Sequence, residues 1–349
     1  MKTIVLTGGG TAGHIIPNIA LLPELKKRFE RIVYIGSGAK IEKSLLKEFS
    51  YVEYFEITTA KLKRKLTFEN LKIPFRIIKG KKESLKILKA VKPSIIFSKG
   101  GFVALPVVLA ATKLKIPMIA HESDLSLGLA NKLVKNKFKA ICTTFKETAA
   151  KLKNGVFVGP VVRKEITKGN ADRFKQEHSI NLNKPILLIL GGSQGSNEIN
   201  ILVENNLDEL TKTHQVVHIR GNGKLNKKIK NPNYIQVEFC ENMADVYAAT
   251  DLCITRGGSN TIFELLLNNI PMLIIPLKKG SRGDQIENAK YFEKNNFAVA
   301  LLKKQISSAD FLSGFNTLKS KAKKIRTTTK NLENNAVEKI IQLIEKETK

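Results

Sequence analysis

Short apolar runs rich in β-branched residues alternate along the chain with longer stretches of helical periodicity. In the first half, Thr3–Thr7, Arg31–Ile35, Ser94–Ser98, Met118–Ala120 and Ala140–Thr143 read as strands. In the second half, Pro185–Leu190, Val216–Ile219, Ile235–Val237, Leu252–Thr255 and Met272–Ile275 do so. These runs are continuously apolar rather than alternating. That marks strands covered on both faces, as in a parallel sheet wrapped by helices. A helix is expected from Gly13 to about Phe29 and another over Thr261–Leu267. The tail from Lys330 to Lys349 carries Leu332, Val337, Ile340, Ile341 and Ile344 on one side, the pattern of an amphipathic helix.

The two halves repeat one plan. Each opens with an apolar strand running into a glycine turn, TIVLTGGGTAG and ILLILGGSQG. Each later has a strand, a basic residue and two glycines: Lys99-Gly100-Gly101 and Arg256-Gly257-Gly258. Each then reaches Ile-Pro-Met, at 116–118 and 270–272. The expected fold is α/β, with two doubly wound, Rossmann-like domains facing a central cleft. A chain of 349 residues fits two such cores better than one. Strand signals stop and polar residues collect near Gly159–Asn170, which sets the domains at 1–163 and 164–330.

Gly8, Gly10 and Gly13 have the spacing of a dinucleotide-binding turn. That reading also needs a carboxylate at the end of the second strand to hold a ribose. The strand ends Gly36-Ser37-Gly38 instead, which argues against a nicotinamide cofactor. The underlying physics survives: glycines admit a close approach, and a helix N-terminus offers N–H groups and a positive dipole end to phosphate. Four such turns, at Gly8, Gly100, Gly191 and Gly257, suit a protein that handles phosphates in both domains.

Several polar residues stand out against this frame. His14 follows the first turn, either as helix-end polar filler or as a general base for a hydroxyl. His121-Glu122-Ser123-Asp124 follows a short strand and is expected to form a ligand-contacting loop; a loop of helix-capping residues is the alternative. Glu264 is a single carboxylate in an apolar helix, able to accept two hydrogen bonds from the adjacent hydroxyls of a ribose. Arg282-Gly283-Asp284-Gln285 offers sugar-hydroxyl partners. His214 and His218 read as ordinary strand residues. No cluster has metal-ligand spacing.

The formal charge of +28 points to an anionic partner. Much of it lies in Lys61–Lys92, with twelve basic residues, two acids and eleven interleaved leucine, isoleucine and phenylalanine residues. Such a segment suits an anionic membrane surface, through Lys63, Arg64, Lys65, Leu66, Phe68 and Phe75. A core-facing amphipathic helix and a nucleic-acid patch are the alternatives, and no nucleic-acid motif is present. The apolar runs are too short to span a bilayer. Cys142, Cys240 and Cys253 are isolated and suggest neither zinc nor disulfides, and the N-terminus reads as a strand rather than a signal peptide.

Seven motifs in order make the chain resemble the MurG family, the bacterial transferases of glycosyltransferase family 28 that convert lipid I to lipid II. They are GGGTAGHIIP at 8–17, SKGGFVALP at 98–106, HESDLSLGLANK at 121–132, GPVVR at 159–163, GGSQGS at 191–196, TRGGSNTIFE at 255–264 and SRGDQIENA at 281–289. The resemblance implies a GT-B fold and an inverting transfer of N-acetylglucosamine from UDP-N-acetylglucosamine to the C4 hydroxyl of the muramyl sugar. A GT-B glycolipid synthase acting on diacylglycerol is the alternative. The implied base is His14, with Glu122 second. The implied donor contacts are Thr11, Ala12, Gly13, Asp124, Arg163, Ser193, Gln194, Cys240, Ser259, Asn260, Thr261, Glu264, Asp284 and Gln285. Gly9, Gly10, Gly100 and Gly101 would meet the acceptor's phosphates. The chain departs from many members at Ala12, Asp124 and Asp284, where glycine, asparagine and glutamine are common. The resemblance also implies that residues 331–349 return to the first, acceptor- and membrane-facing domain. It places the protein peripherally on the cytoplasmic face of the membrane, bound to anionic lipids and not to nucleic acid. No tightly bound cofactor is expected, and no Asp-x-Asp metal motif occurs.

Overall fold

The computed structural model describes residues 2–60, 71–180, 183–192, 195–277 and 283–348. The chain divides into two compact units, Met1–Arg163 with Asn334–Lys349, and Lys164–Glu333.

The first unit is built on a parallel sheet of seven strands: β1 Thr3–Thr7, β2 Arg31–Gly36, β3 Val52–Glu56, β4 Ile95–Ser98, β5 Met118–Glu122, β6 Ala140–Thr143 and β7 Gly155–Phe157. Their order is β3-β2-β1-β4-β5-β6-β7. Its helices are α1 Ala12–Lys26, α2 Lys40–Leu46, α3 Ile73–Val91, α4 Gly101–Lys113, α5 Leu129–Val134 and α6 Lys146–Ala150. The second unit has β8 Ile186–Leu190, β9 Gln215–Ile219, β10 Tyr234–Val237, β11 Leu252–Thr255, β12 Met272–Ile274 and β13 Val299–Ala300, ordered β10-β9-β8-β11-β12-β13. Its helices are α7 Ala171–Glu177, α8 Asn197–Asn205, α9 Leu207–Thr213, α10 Met243–Ala248, α11 Ser259–Leu267, α12 Asp284–Lys294 and α13 Ser308–Thr329. The last helix, α14 Ala336–Glu347, belongs to the first unit.

The continuous apolar runs have a direct cause. Along β1, Ile4 and Leu6 join one buried cluster while Val5 joins another on the opposite face. β2 repeats this, with Ile32 and Tyr34 on one side and Val33 and Ile35 on the other. Each fully buried aliphatic side chain contributes about 1.5–3 kcal/mol, so both helix layers are held by the same strands. On α14, Ala336, Val337, Ile340, Ile341 and Ile344 are buried in the cluster that contains Ile15 and Leu22 of α1. Leu332 precedes that helix rather than lying on it.

Three strands were not expected from sequence: β3, β7 and β13. All three are edge strands. β3, VEYFE, has mixed burial and no continuous apolar run to announce it. The structure also carries β5 through His121 and Glu122, and ends α1 at Lys26 rather than near Phe29.

Strand order reverses between β1 and β4 in one unit, and between β8 and β11 in the other. Open parallel sheets bind ligands outside the carboxyl ends of their strands at such points. All four glycine turns follow these four strands.

Candidate functional site

In the first unit, β1 delivers Gly8–Gly10 to the start of α1, and β4 delivers Lys99–Gly101 to the start of α4. The two turns are occupied differently. Glu42, fully buried on α2, accepts from Gly10 N (2.9 Å), Ser37 N (2.7 Å), Ser37 Oγ (2.6 Å) and Tyr54 Oη (2.7 Å). A side chain on Gly9 would meet this carboxylate, and one on Gly10 would meet the Phe102 ring. Gly10 therefore gives its N–H to Glu42 in this structure. Gly9 lies against a carboxylate, an unfavourable place for an anion.

At the second turn, Gly100 N donates to Ser98 Oγ at 3.3 Å, and a side chain on Gly100 would meet the Asn131 amide. Gly100 and Gly101 have φ of 80° and 78°, the left-handed region that favours glycine. The first turn of α4 has no side-chain cap and no acid. Lys99, directly before it, is only 3% exposed. Burial pushes its ammonium pKa down, while Glu122 and Asp124 oppose that through space.

His14 lies in the first turn of α1, half-buried, with Thr11 Oγ1 3.0 Å from its Nδ1. A substituent on Gly101 would come within 3.4 Å of the imidazole ring, so His14 faces the second turn. When Nδ1–H donates to Thr11, Nε2 is the accepting nitrogen, the tautomer a general base requires. Ala12 and Gly13 share this turn of α1.

The loop after β5 differs from expectation. His121 is fully buried, and burial together with Lys99 holds its pKa well below the usual imidazole range. It is a core residue and not a ligand contact. Glu122, 5% exposed, accepts from Gly128 N (2.8 Å), Asn131 Nδ2 (3.0 Å) and Asp124 N (3.3 Å). These bonds make it a staple for residues 123–128. Asp124 is half-buried at the start of that loop.

In the second unit, β11 feeds α11 through Arg256-Gly257-Gly258. The nine-residue helix begins at Ser259, Asn260 and Thr261, with no side-chain cap and no acid in its first turn. Glu264 follows one turn later, half-buried, and Tyr247 Oη of α10 donates to its Oε2 at 2.9 Å. The supposed lone carboxylate of an apolar helix is thus held in one orientation. Gln285, on the first turn of α12, packs against Gly257, and its Oε1 accepts from Leu277 N at 2.9 Å. Asn288 Nδ2, fully buried, donates to Gly257 O at 3.0 Å. Asp284 shares that first turn of α12. Arg256 Nη1 lies 3.4 Å from Gly191 O and joins the two turns of the switch point; burial lowers its pKa.

Sequence reasoning did not count Arg256, Lys99, Glu42 or Tyr247 among the site residues. The first two were legible as the basic members of the internal repeat. The last two come from α2 and α10 and are brought in only by packing. Cys240 is partly buried after the edge strand β10, and burial raises its thiol pKa. Arg163 closes the first unit with its Nε buried. Ser193, Gln194, Lys63, Arg64, Lys65, Leu66 and Phe68 lie outside the described residues. Phe75 is 75% exposed on α3. His218, expected to be an ordinary strand residue, is buried in β9 between Asn200 Oδ1 and Tyr234 Oη. Among the described residues, no group of three His, Cys, Asp or Glu side chains is placed to hold a metal ion.

Residues 4–143 match the glycosyltransferase family 28 N-terminal domain, and residues 186–344 match its C-terminal domain. A protein of Clostridium tetani (strain Massachusetts / E88) is 44% identical over 351 residues, covering 99% of this chain and 98% of its own length. One from Clostridium botulinum (strain Loch Maree / Type A3) is 43% identical over 355 residues and covers all of both chains. Both are named UDP-N-acetylglucosamine–N-acetylmuramyl-(pentapeptide) pyrophosphoryl-undecaprenol N-acetylglucosamine transferase. The crystal structure of Acinetobacter baumannii MurG shares the GT-B fold, with a TM-score of 0.76 at 23% identity over 99% of this chain and 100% of that one.

Proposed function

Because the chain belongs to glycosyltransferase family 28, we infer that it carries out the reaction of its full-length relatives. It transfers N-acetylglucosamine from UDP-N-acetylglucosamine to the muramyl sugar of lipid I, giving lipid II for peptidoglycan. The single observation that carries this is 44% identity maintained across essentially the whole chain. The relatives' shared name does not favour diacylglycerol as the acceptor.

In this reading the second unit holds the donor. Glu264, oriented by Tyr247, accepts from the two ribose hydroxyls. The helix rise places Ser259 about 7.5 Å away along the axis, a step suited to a ribose at one end and a diphosphate at the other. The N-terminus of α11 and Arg256 meet the charge that grows on departing UDP. Asp284 and Gln285 face the sugar, and Arg163 and the backbone at Cys240 serve the uracil. The first unit binds the acceptor. His14 takes the proton from the C4 hydroxyl as that oxygen attacks the anomeric carbon, and configuration inverts in a single displacement. His14 is preferred to Glu122, whose oxygens are engaged in its own loop. No tightly bound cofactor enters this scheme.

Donor specificity is checked by thermal shift. UDP-N-acetylglucosamine should raise the melting midpoint by several degrees at saturation, while NAD and RNA should not. Equal shifts from all three would remove the nucleotide-sugar reading.

The acceptor lives in a bilayer, and we place the protein peripherally on the cytoplasmic face. Among the described residues no helix is long and apolar enough to cross a membrane. On α3, Gly80, Ser84, Leu88 and Val91 form the buried stripe. Phe75 and Ile78, with Leu71 just before the helix, form an exposed apolar stripe beside Lys72, Arg76 and Lys79. Exposed Leu129 and Leu133 flank Lys132 on α5, which packs against α4 as α3 does. Apolar side chains among cations suit an anionic bilayer surface. Replacing Phe75 and Ile78 together by alanine should weaken binding to vesicles containing anionic lipid roughly tenfold or more. Unchanged sedimentation with vesicles would reduce α3 to a solvated helix.

A further inference from the structure

We propose that Glu42 is a positioning residue for the transfer: its buried side chain clamps the Gly8–Gly10 turn and, through Thr11, fixes His14. The inference rests on the reading of His14 as the base.

Four donors converge on Glu42. Gly10 N and Ser37 Oγ share Oε1, while Ser37 N and Tyr54 Oη share Oε2. Glutamine cannot take this place, because one of its two ends would turn N–H groups toward donors. An apolar residue would leave the Gly10 and Ser37 N–H groups without acceptors. A buried carboxylate is costly unless such bonds are made, yet the chain makes room for one. A Cβ on Gly9 or on Gly36 would strike its oxygens, so two strand ends carry glycine where it passes. Attachment of α2 does not require it, since Ile41, Leu45 and Leu46 already pack on the core. What Glu42 adds is a fixed link from α2 and β3 to the turn after β1.

The other end of that turn is held from the same side. Tyr34 Oη donates to Gly8 O at 2.6 Å, and its ring stacks on Tyr54 with centroids 6.1 Å apart. Burial, and then the bond to Glu42, push the Tyr54 phenol pKa up, so this hydroxyl keeps its proton for Glu42. Gly8 and Gly10 are thus tied separately, and Gly10 adopts a φ of 81°. Thr11 comes next. It is the N-cap of α1, but its side chain makes no capping bond. Its Oγ1 lies 3.0 Å from His14 Nδ1 instead. One peptide link therefore separates the clamped Gly10 from the group that orients the base. A misplacement of about 1 Å can cost about a hundredfold in rate.

Glu42→Gln tests this on the full chain in two backgrounds, wild type and His14→Ala, with a lipid I analogue as acceptor. In the wild-type background kcat should fall roughly tenfold to a hundredfold. The Kd for UDP-N-acetylglucosamine should stay within about twofold, because the proposed donor contacts lie on the second unit. In the His14→Ala background the residual rate should fall by less than about twofold, the non-additivity of residues that act as one unit. A general loss of structure would instead lower the rate by the same factor in both backgrounds. That result, or a wild-type kcat in Glu42→Gln, would overturn the assignment. Should Glu42→Gln fail to fold, Tyr54→Phe repeats the comparison with one donor removed and the carboxylate kept. Its kcat should fall roughly threefold in the wild-type background alone, and no fall, or an equal fall in both, would overturn the assignment. Turnover retained in His14→Ala by itself would remove the base on which the inference rests.

Discussion

Replacing His14 with alanine should lower kcat by roughly a hundredfold to ten-thousandfold, the range for removing a general base, and leave the Kd for UDP-N-acetylglucosamine within about twofold of wild type. The separation follows from placement. His14 is on α1 of the first unit, beside the Gly101 turn, while the proposed ribose and diphosphate contacts are all on the second unit. Thr11 holds Nδ1, so Thr11→Val should give a smaller fall in kcat of the same kind. Single-turnover kinetics with isothermal titration of the donor separates the two constants. Turnover retained in the alanine variant would remove His14 as the base.

Glu264→Ala should have the opposite signature. A hydrogen bond to a charged group is worth about 1.5–3 kcal/mol. Losing two from the ribose hydroxyls should therefore raise the donor Kd roughly a hundredfold or more and abolish the thermal shift given by UDP-N-acetylglucosamine at concentrations that saturate the wild type. The acceptor KM should hold. Tyr247→Phe removes the hydroxyl that orients Glu264 Oε2 and should show a weaker form of the same defect. A donor Kd unchanged in Glu264→Ala would make this carboxylate a purely structural partner of Tyr247.

The part of the fold legible in sequence was the part buried on both sides. Val5 and Leu6 are neighbours facing opposite helix layers, so β1 is apolar at every position between its terminal threonines, and β2, β4, β8 and β11 likewise carry continuous buried runs between their ends. Edge strands lack that signature, as Val52–Glu56 shows, because one side chain in two meets solvent or a single layer. The site divides along a similar line. Gly100 and Gly101 meet a backbone demand through positive φ, and Gly257 through a close approach to the Gln285 backbone. Glu42 carries no such mark: it sits in the polar stretch Lys40–Lys47, and its meaning appears only when α2 folds under the Gly8–Gly10 turn. The same packing gives the Gly10 N–H its partner. His121 and Glu122 looked like a polar loop because polar residues inside a strand leave no periodic trace, yet they lie within β5.

The central claim is a specific group transfer, and product analysis tests it most directly. The full chain, incubated with labelled UDP-N-acetylglucosamine and a lipid I analogue, should move the label into the lipid product. One UDP should be released per sugar, and the new bond should be β-linked at C4 of the muramyl residue. Label that remains in the donor, appears as free N-acetylglucosamine, or passes to diacylglycerol and not to lipid I would contradict it.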